Sequence, residues 1–378
     1  MFKKRAVMLL GLLVLLGLVV SGCSSQPAAT AAPQATSNAT ETQVSGAIEP
    51  AKEIVLYNWT DYMNPEVLTQ FEEETGIKIV EDYFSSNEEL IAKLQGGATG
   101  YSLIIPSDYA VYVLIQNNLL AKLDQANLPN TNNLSERFKN PEVDPGNQYC
   151  VPYEWGTTGI GYRTDLVDPP TSWAAILAAK PGDPQYGRMT MVDDVRDGFA
   201  AALMYLGYDI NTTDEAQLQE ARDLLIQAKG GLSGYDSDTF EDLVASGENV
   251  LAHGYSGEFQ GARDENPYID YLIPDEGGVI YMEEICIPVT ASPEEKLAAE
   301  MFINYLLRGD IGAQLSEYIY YGSPNKAATE YLSQDYLANP IINPSDEVMQ
   351  RLNFIKPLGE FDLVYQRLWD EVKSAPTP

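Results

Sequence analysis

Histidine is almost absent from this chain of 378 residues: His253 stands alone. A Ser-His-Asp triad would have to use it. Yet it lies in the apolar string Val250-Leu251-Ala252-His253-Gly254-Tyr255, which reads as a buried strand carrying a packed imidazole rather than a base. Cysteine is nearly as scarce, with three, and no Cys or His cluster has zinc spacing. Basic charge is short as well. Lys and Arg number 23 against 55 Asp and Glu, a net charge of −32, so nucleic acid is excluded as a partner because its phosphates would be repelled. No glycine-rich phosphate loop is present, since Gly96-Gly97 and Gly277-Gly278 lack a following helix and lysine and read as turns. No internal repeat is visible. These absences predict a protein without metal or cofactor that is not an enzyme.

Long apolar runs are missing too, with one exception. Lys3, Lys4 and Arg5 precede an unbroken apolar run over residues 7–20, which ends in Val20-Ser21-Gly22-Cys23. The run is too short and wrongly flanked for a spanning helix, and reads as a signal peptide over 1–22. The small residues before Cys23 resemble a bacterial lipobox, which implies cleavage before Cys23 and lipid on it. An ordinary signal peptide cut nearby is the alternative. Residues 23–50 are Ala, Thr, Ser, Gln, Pro and Asn with almost no large apolar residue. Such a stretch cannot bury enough surface to offset its ordering entropy, so it is expected to be a disordered leash. At about 5–6 Å × √n it lets the body range a few nanometres from a bilayer.

What the body does contain is tyrosine, 24 of them against 10 Phe and 4 Trp. Tyrosine joins a flat apolar face to a polar tip, which suits binding pockets. The order of elements is legible. Ile54-Val55-Leu56-Tyr57 suits a buried strand, and Asn64-Pro65 caps a helix with Val67, Leu68 and Phe71 on one face and Gly76 as its stop. Residues 77–80 form a second strand, Asn87 opens a second helix, and Leu103-Ile104-Ile105 is a third strand ended by Pro106. This alternation predicts an α/β parallel sheet. Farther on, Ser292-Pro293-Glu294-Glu295 is a capping box leading a helix with Leu297, Met301, Tyr305 and Leu306 at core spacing. Ligands of such sheets bind beyond the carboxyl ends of the strands. There the chain places Asn58-Trp59-Thr60-Asp61-Tyr62 and Ser107-Asp108-Tyr109, two loops that combine aromatics, hydroxyls and carboxylates.

The string Ile54-Val55-Leu56-Tyr57-Asn58-Trp59-Thr60-Asp61-Tyr62 resembles the opening of bacterial spermidine/putrescine-binding proteins, the solute receptors of polyamine ABC importers. The likeness continues collinearly through Phe71-Glu72-Glu73-Glu74-Thr75-Gly76, Ile105-Pro106-Ser107, Val151-Pro152-Tyr153-Glu154-Trp155-Gly156, Asp193-Asp194-Val195-Arg196-Asp197, Glu276-Gly277-Gly278, Asn304-Tyr305-Leu306-Leu307-Arg308 and Asn325-Lys326-Ala327-Ala328. The resemblance implies a periplasmic-binding-protein-like fold of type II, with two α/β lobes joined by hinge strands and the ligand in the cleft. The lobes would be 51–158 plus 282–329, and 159–281 plus 330–376. Carried over position by position, the first lobe would give Trp59, Thr60, Asp61, Tyr62, Ser107 and Tyr109 to the ligand. The second would give Asp194, Asp197, Ser237, Tyr255 and Glu258, with Tyr281, Glu283 and Tyr321 near the hinge. The implied partners are a polyamine and an ABC permease, with the protein a monomer.

A polyamine is a methylene chain with ammonium groups at fixed separation. Each ammonium needs carboxylates, because burying an unpaired charge is costly. Asp194, Asp197 and Glu283 suit one amine, and Asp61 or Glu258 a terminal one. Trp59, Tyr255 and Tyr281 suit the methylenes, with cation–π attraction of roughly 0.5–2 kcal/mol where a charge lies over a ring. Tyr255 and Tyr281 differ from the aromatics the family often has there, and Asp197 and Glu283 exchange carboxylate length, so the amine's length stays open. Other readings of the same residues are Asp194 and Asp197 as helix caps, and Tyr281 and Tyr321 as packing. Other functions are a receptor for a different cationic or sugar solute, or an extracellular carboxylate-pair hydrolase. Cys150 and Cys286 each precede an apolar residue and a proline; an exported compartment permits a disulfide between them, but pairing is not deducible from sequence, and two buried free thiols are the expectation.

Overall fold

The computed structural model describes residues 48–378. The signal peptide, Cys23 and all but the last three residues of the expected leash lie outside the described residues. Strand β1 (Glu53–Asn58) is buried along Leu56, Tyr57 and Asn58, as a strand covered on both faces should be. The helix Pro65–Thr75 starts where the Glu66 N–H donates to the Asn64 side chain at 2.9 Å, and stops at Gly76, whose φ of 69° suits glycine. Strands β2 (Lys78–Tyr83) and β3 (Leu103–Ile104) pair parallel with β1 on either side. The expected α/β alternation is therefore present, and the helix Asn87–Gln95 begins as predicted.

The remaining strands are β4 (Cys150–Arg163), β5 (Met189–Met191), β6 (Gly234–Tyr235), β7 (Leu251–Tyr255), β8 (Ile269–Leu272), β9 (Gly278–Cys286) and β10 (Leu352–Asn353). The sheet runs β2-β1-β3-β9-β4-β7-β5-β6, with β8 beside β4 and β10 beside β9. The long strands β4 and β9 pair antiparallel from Cys150 opposite Cys286 to Thr158 opposite Val279. At one end β9 meets β3; at the other, β4 meets β7. The pair thus passes between two cores. One gathers Leu56, Phe71, Leu103, Ile285 and Phe302, the other Ile160, Met191, Phe199, Leu251 and Trp369. These are the two lobes of the type II fold and their connecting strands. The helix Pro293–Leu306 returns to the first core behind the expected capping box, with Ser292 N–H on Glu295 Oε2 at 2.7 Å and Glu295 N–H on Ser292 Oγ at 3.2 Å.

The expected free thiols are corrected. Cys150 and Cys286 form a disulfide, because the β4–β9 register sets them directly opposite with Cα atoms 4.4 Å apart, a relation no local pattern encodes. His253 lies on β7, fully buried against the edge of Trp173, and burial alone lowers its pKa to about 3, so it is the packed neutral imidazole expected.

Candidate ligand-binding site

Strand direction builds the site. β1 and β3 run parallel, so the segments after them, Trp59–Tyr62 and Ser107–Tyr109, emerge side by side. In the second lobe β5 is parallel to both β6 and β7, so Asp193–Asp194, Ser237 and Glu258 follow three neighbouring carboxyl ends. On β9, Tyr281 and Glu283 are two residues apart and share the face turned to the cleft. Between these elements lies a cavity of about 530 Å³. All fourteen residues expected from sequence line it: Trp59, Thr60, Asp61, Tyr62, Ser107, Tyr109, Asp194, Asp197, Ser237, Tyr255, Glu258, Tyr281, Glu283 and Tyr321.

Glu283 is the most firmly held. Ser107 Oγ donates to its Oε1 at 2.9 Å, and Trp59 Nε1 reaches its Oε2 at 3.2 Å and the Ile105 carbonyl at 2.9 Å. Ser107 is fixed in turn by Asn87, which donates to its Oγ at 2.8 Å and accepts its N–H at 3.1 Å. Trp59 and Glu283, given separate tasks in the sequence reading, are therefore physically joined. Asp194 does cap the helix Val195–Leu206, its Oδ1 accepting from Arg196 N–H at 2.8 Å and Asp197 N–H at 2.9 Å, so the capping and cavity readings hold together. Asp197 Oδ1 is buried without a partner among the described residues. Ser237 accepts the Asp193 N–H at 2.8 Å, and the Tyr109 hydroxyl donates to Glu88 at 3.3 Å.

The aromatic wall is continuous. Tyr255 stands edge-on to Tyr281 at 5.7 Å between centroids, Tyr281 to Tyr321 at 6.3 Å, and Tyr321 to Tyr62 at 5.1 Å. Tyr321 is both packing and lining: it is buried, and its hydroxyl donates to Glu258 Oε2. A Cβ on Gly156 would lie 2.6 Å from the Tyr281 hydroxyl and 2.7 Å from the Tyr321 ring, so a glycine is required where β4 passes under the wall. Thr60 and Asp61 are exposed at the rim, and Asp61 has the left-handed φ of 55°, uncommon for a residue with a side chain.

Ten carboxylates line the cavity, and no Lys, Arg or His does so among the described residues. Burial, reinforced by Asp194, pushes Asp197 up to about 8. Burial raises Glu283 to about 8 against the opposing bond from Ser107, and Asp108 to about 7. Glu258 and Asp194 are raised by the same cause. Arg196, next in sequence to this group, turns its guanidinium to Asp362 at 2.7 Å and Asn211 at 3.0 Å. The carboxyls thus have no cationic partner in the protein lining, and a multiply cationic solute would answer them.

Sequence reasoning missed several lining groups: Asp108, Asp193, Asp238, Glu241, Asn87, Tyr83 and Phe84. Asp108 was in view within its loop and could have been taken with its neighbours. Glu241 carried no signal beyond its place in a helical first turn, where acids are ordinary.

Comparison with known proteins agrees with this geometry. Residues 66–344 match the family model described as bacterial extracellular solute-binding protein. The chain is 34% identical over 325 residues to the spermidine/putrescine-binding periplasmic protein of Escherichia coli K12, covering 85% of this chain and 91% of the relative. It is 31% identical to a putrescine/cadaverine-binding protein of Pseudomonas aeruginosa, covering 85% and 94%. Among solved structures it is similar to a putative spermidine/putrescine ABC transporter protein from Listeria monocytogenes, with a TM-score of 0.80, 33% identity and coverage of 86% and 99%.

Proposed function

Because the chain belongs to the bacterial extracellular solute-binding protein family, we propose that it captures a polyamine outside the cytoplasmic membrane and delivers it to an ABC importer. The observation that carries this reading is a cleft walled by ten carboxylates and flat tyrosine faces, without a basic residue in its described lining. Glu283, Asp197 and Asp194 would accept one ammonium, and Glu258 with Asp61 would face another. Trp59, Tyr255 and Tyr281 would flank the methylenes. The reading needs no bond-making step, so the lone buried His253 has no task in it. A sugar receptor would have no use for so much uncompensated acid, because neutral hydroxyls do not offset buried carboxylates.

Titration calorimetry of the chain against putrescine, spermidine and neutral sugars tests the proposal. Binding of amines with sugars silent is the expected outcome, and equal affinity for a neutral sugar overturns it. The finer placement, a lipid on Cys23 holding the protein to the membrane by a leash, rests on the N-terminal motif. Cys23→Ala should move the protein from the membrane fraction to the soluble fraction with amine affinity unchanged. Continued membrane retention would mean that something other than lipid on Cys23 anchors it.

A further inference from the structure

The cavity's acids fall into two groups with the tyrosine wall between them. Asp194, Asp197, Glu283 and Asp108 form the first, close enough to act on one another's ionisation. Glu258 and Glu241 form the second, with Asp61 also acting on Glu258. Tyr255 is within reach of both groups, of Asp194 and Asp197 on one side and Glu258 on the other. Tyr281 likewise lies between Glu258 and Glu283.

Glu241 has no role in the reading above. It lies in the first turn of the helix Phe240–Ser246, which follows β6 and Ser237, and it lines the cavity. Its Oε2 is buried with no hydrogen-bond partner among the described residues. Its neighbour Glu258 differs, being bonded by the Tyr321 hydroxyl. A buried carboxylate oxygen without a donor is costly, and here the lining offers it no base. An ammonium group of the ligand would satisfy it and offset its charge.

Building on the polyamine reading, we propose that Glu241 is a chain-length-determining residue: with Glu258 it accepts the far ammonium of a triamine whose near ammonium sits at Glu283 and Asp197. A cavity of about 530 Å³ has room for such a molecule, since its ten or so heavy atoms fill on the order of 300 Å³ at the volume of a water each. A diamine seated at the first group places its second nitrogen against the Tyr255–Tyr281 wall and leaves Glu241 unanswered.

The test compares the full chain with Glu241→Gln by calorimetry against three probes. These are spermidine, putrescine, and an N-alkyl putrescine of spermidine's length without the far nitrogen. Glu241→Gln is expected to weaken spermidine at least about tenfold while changing putrescine and the N-alkyl analogue by less than about threefold. Unchanged spermidine affinity overturns the assignment and leaves the polyamine reading standing. So does an equal loss for spermidine and the N-alkyl analogue, which would mark a structural role. A wild-type chain that binds none of the amines overturns both.

Discussion

Glu283 owes its position to two donors from the segments after β3 and β1, Ser107 and Trp59, so its charge is presented rather than left to find its own rotamer. Glu283→Gln preserves shape and removes charge. An amine that pairs with it should lose about 2–5 kcal/mol of binding, the range for breaking a desolvated charge pair. Trp59→Ala removes flat wall area and also frees Glu283 Oε2, so its effect should overlap with that of Glu283→Gln instead of adding to it. A double-mutant cycle by calorimetry with one diamine and one triamine measures the overlap. Strict additivity would show that the bond between the two side chains has no part in binding. Ser107 belongs to the same unit, since its Oγ holds Glu283 Oε1 at 2.9 Å.

At the scale of elements, the disulfide ties the first residue of β4 to the last of β9 and closes a loop of 136 residues. Replacing both cysteines by serine should reduce stability by about 2–5 kcal/mol, read from urea unfolding. Amine affinity should stay within about threefold, because neither cysteine lines the cavity. A loss below about 1 kcal/mol would mean that the crosslink restricts the unfolded chain little. The same strands show what a sequence discloses. Strand and helix identities were readable at β1, at Asn64-Pro65 and at the Ser292 box because each is local chemistry over a few residues. Of the fourteen lining residues, those at 59–62 and 107–109 were readable from the strand ends of an α/β sheet, while the others came only from the family resemblance, since Tyr281 and Glu283 lie within β9 and Asp197 within a helix. The Cys150–Cys286 pairing, the Trp59–Glu283 bond and the exposure of Glu241 to the cavity depend on register and packing between segments far apart in sequence, and no local pattern reports those.

Across the whole molecule, the acids of the cleft link proton binding to stability. Asp197 and Glu283 titrate near 8, and Asp108 and Glu241 near 7, all above their unfolded values near 4. Between pH 4 and 8 the native chain holds protons that the unfolded chain gives up. The amine-free protein should therefore lose stability as pH rises through that window. A bound amine favours the ionised carboxylates, so binding releases protons and affinity rises with pH. Thermal melts at pH 5 and pH 8, with and without amine, check both signs. The amine-free chain should melt higher at pH 5, and the amine-induced rise should be larger at pH 8. Higher amine-free stability at pH 8 would show that these carboxyls are not held protonated. The net charge of −32 acts in the same direction by self-repulsion, and Glu283→Gln separates the two by removing that cleft group's share alone.

The clamp between β4 and β9 also bears on how the lobes can swing. Because Cys150 and Cys286 are bonded at the end nearest the first core, the two strands cannot slide past each other there. Any rotation of one lobe against the other has to be taken up farther along, toward Thr158 and Val279, where the ladder ends and β4 passes on to β7. The connection behaves as a door hung on a fixed jamb. Tyr281 opposite Gly156 and Tyr255 opposite Thr158 stand toward that far end, so a molecule lodged against those rings would sit where such turning is taken up, and a small change in its thickness would set the angle at which the leaves come to rest.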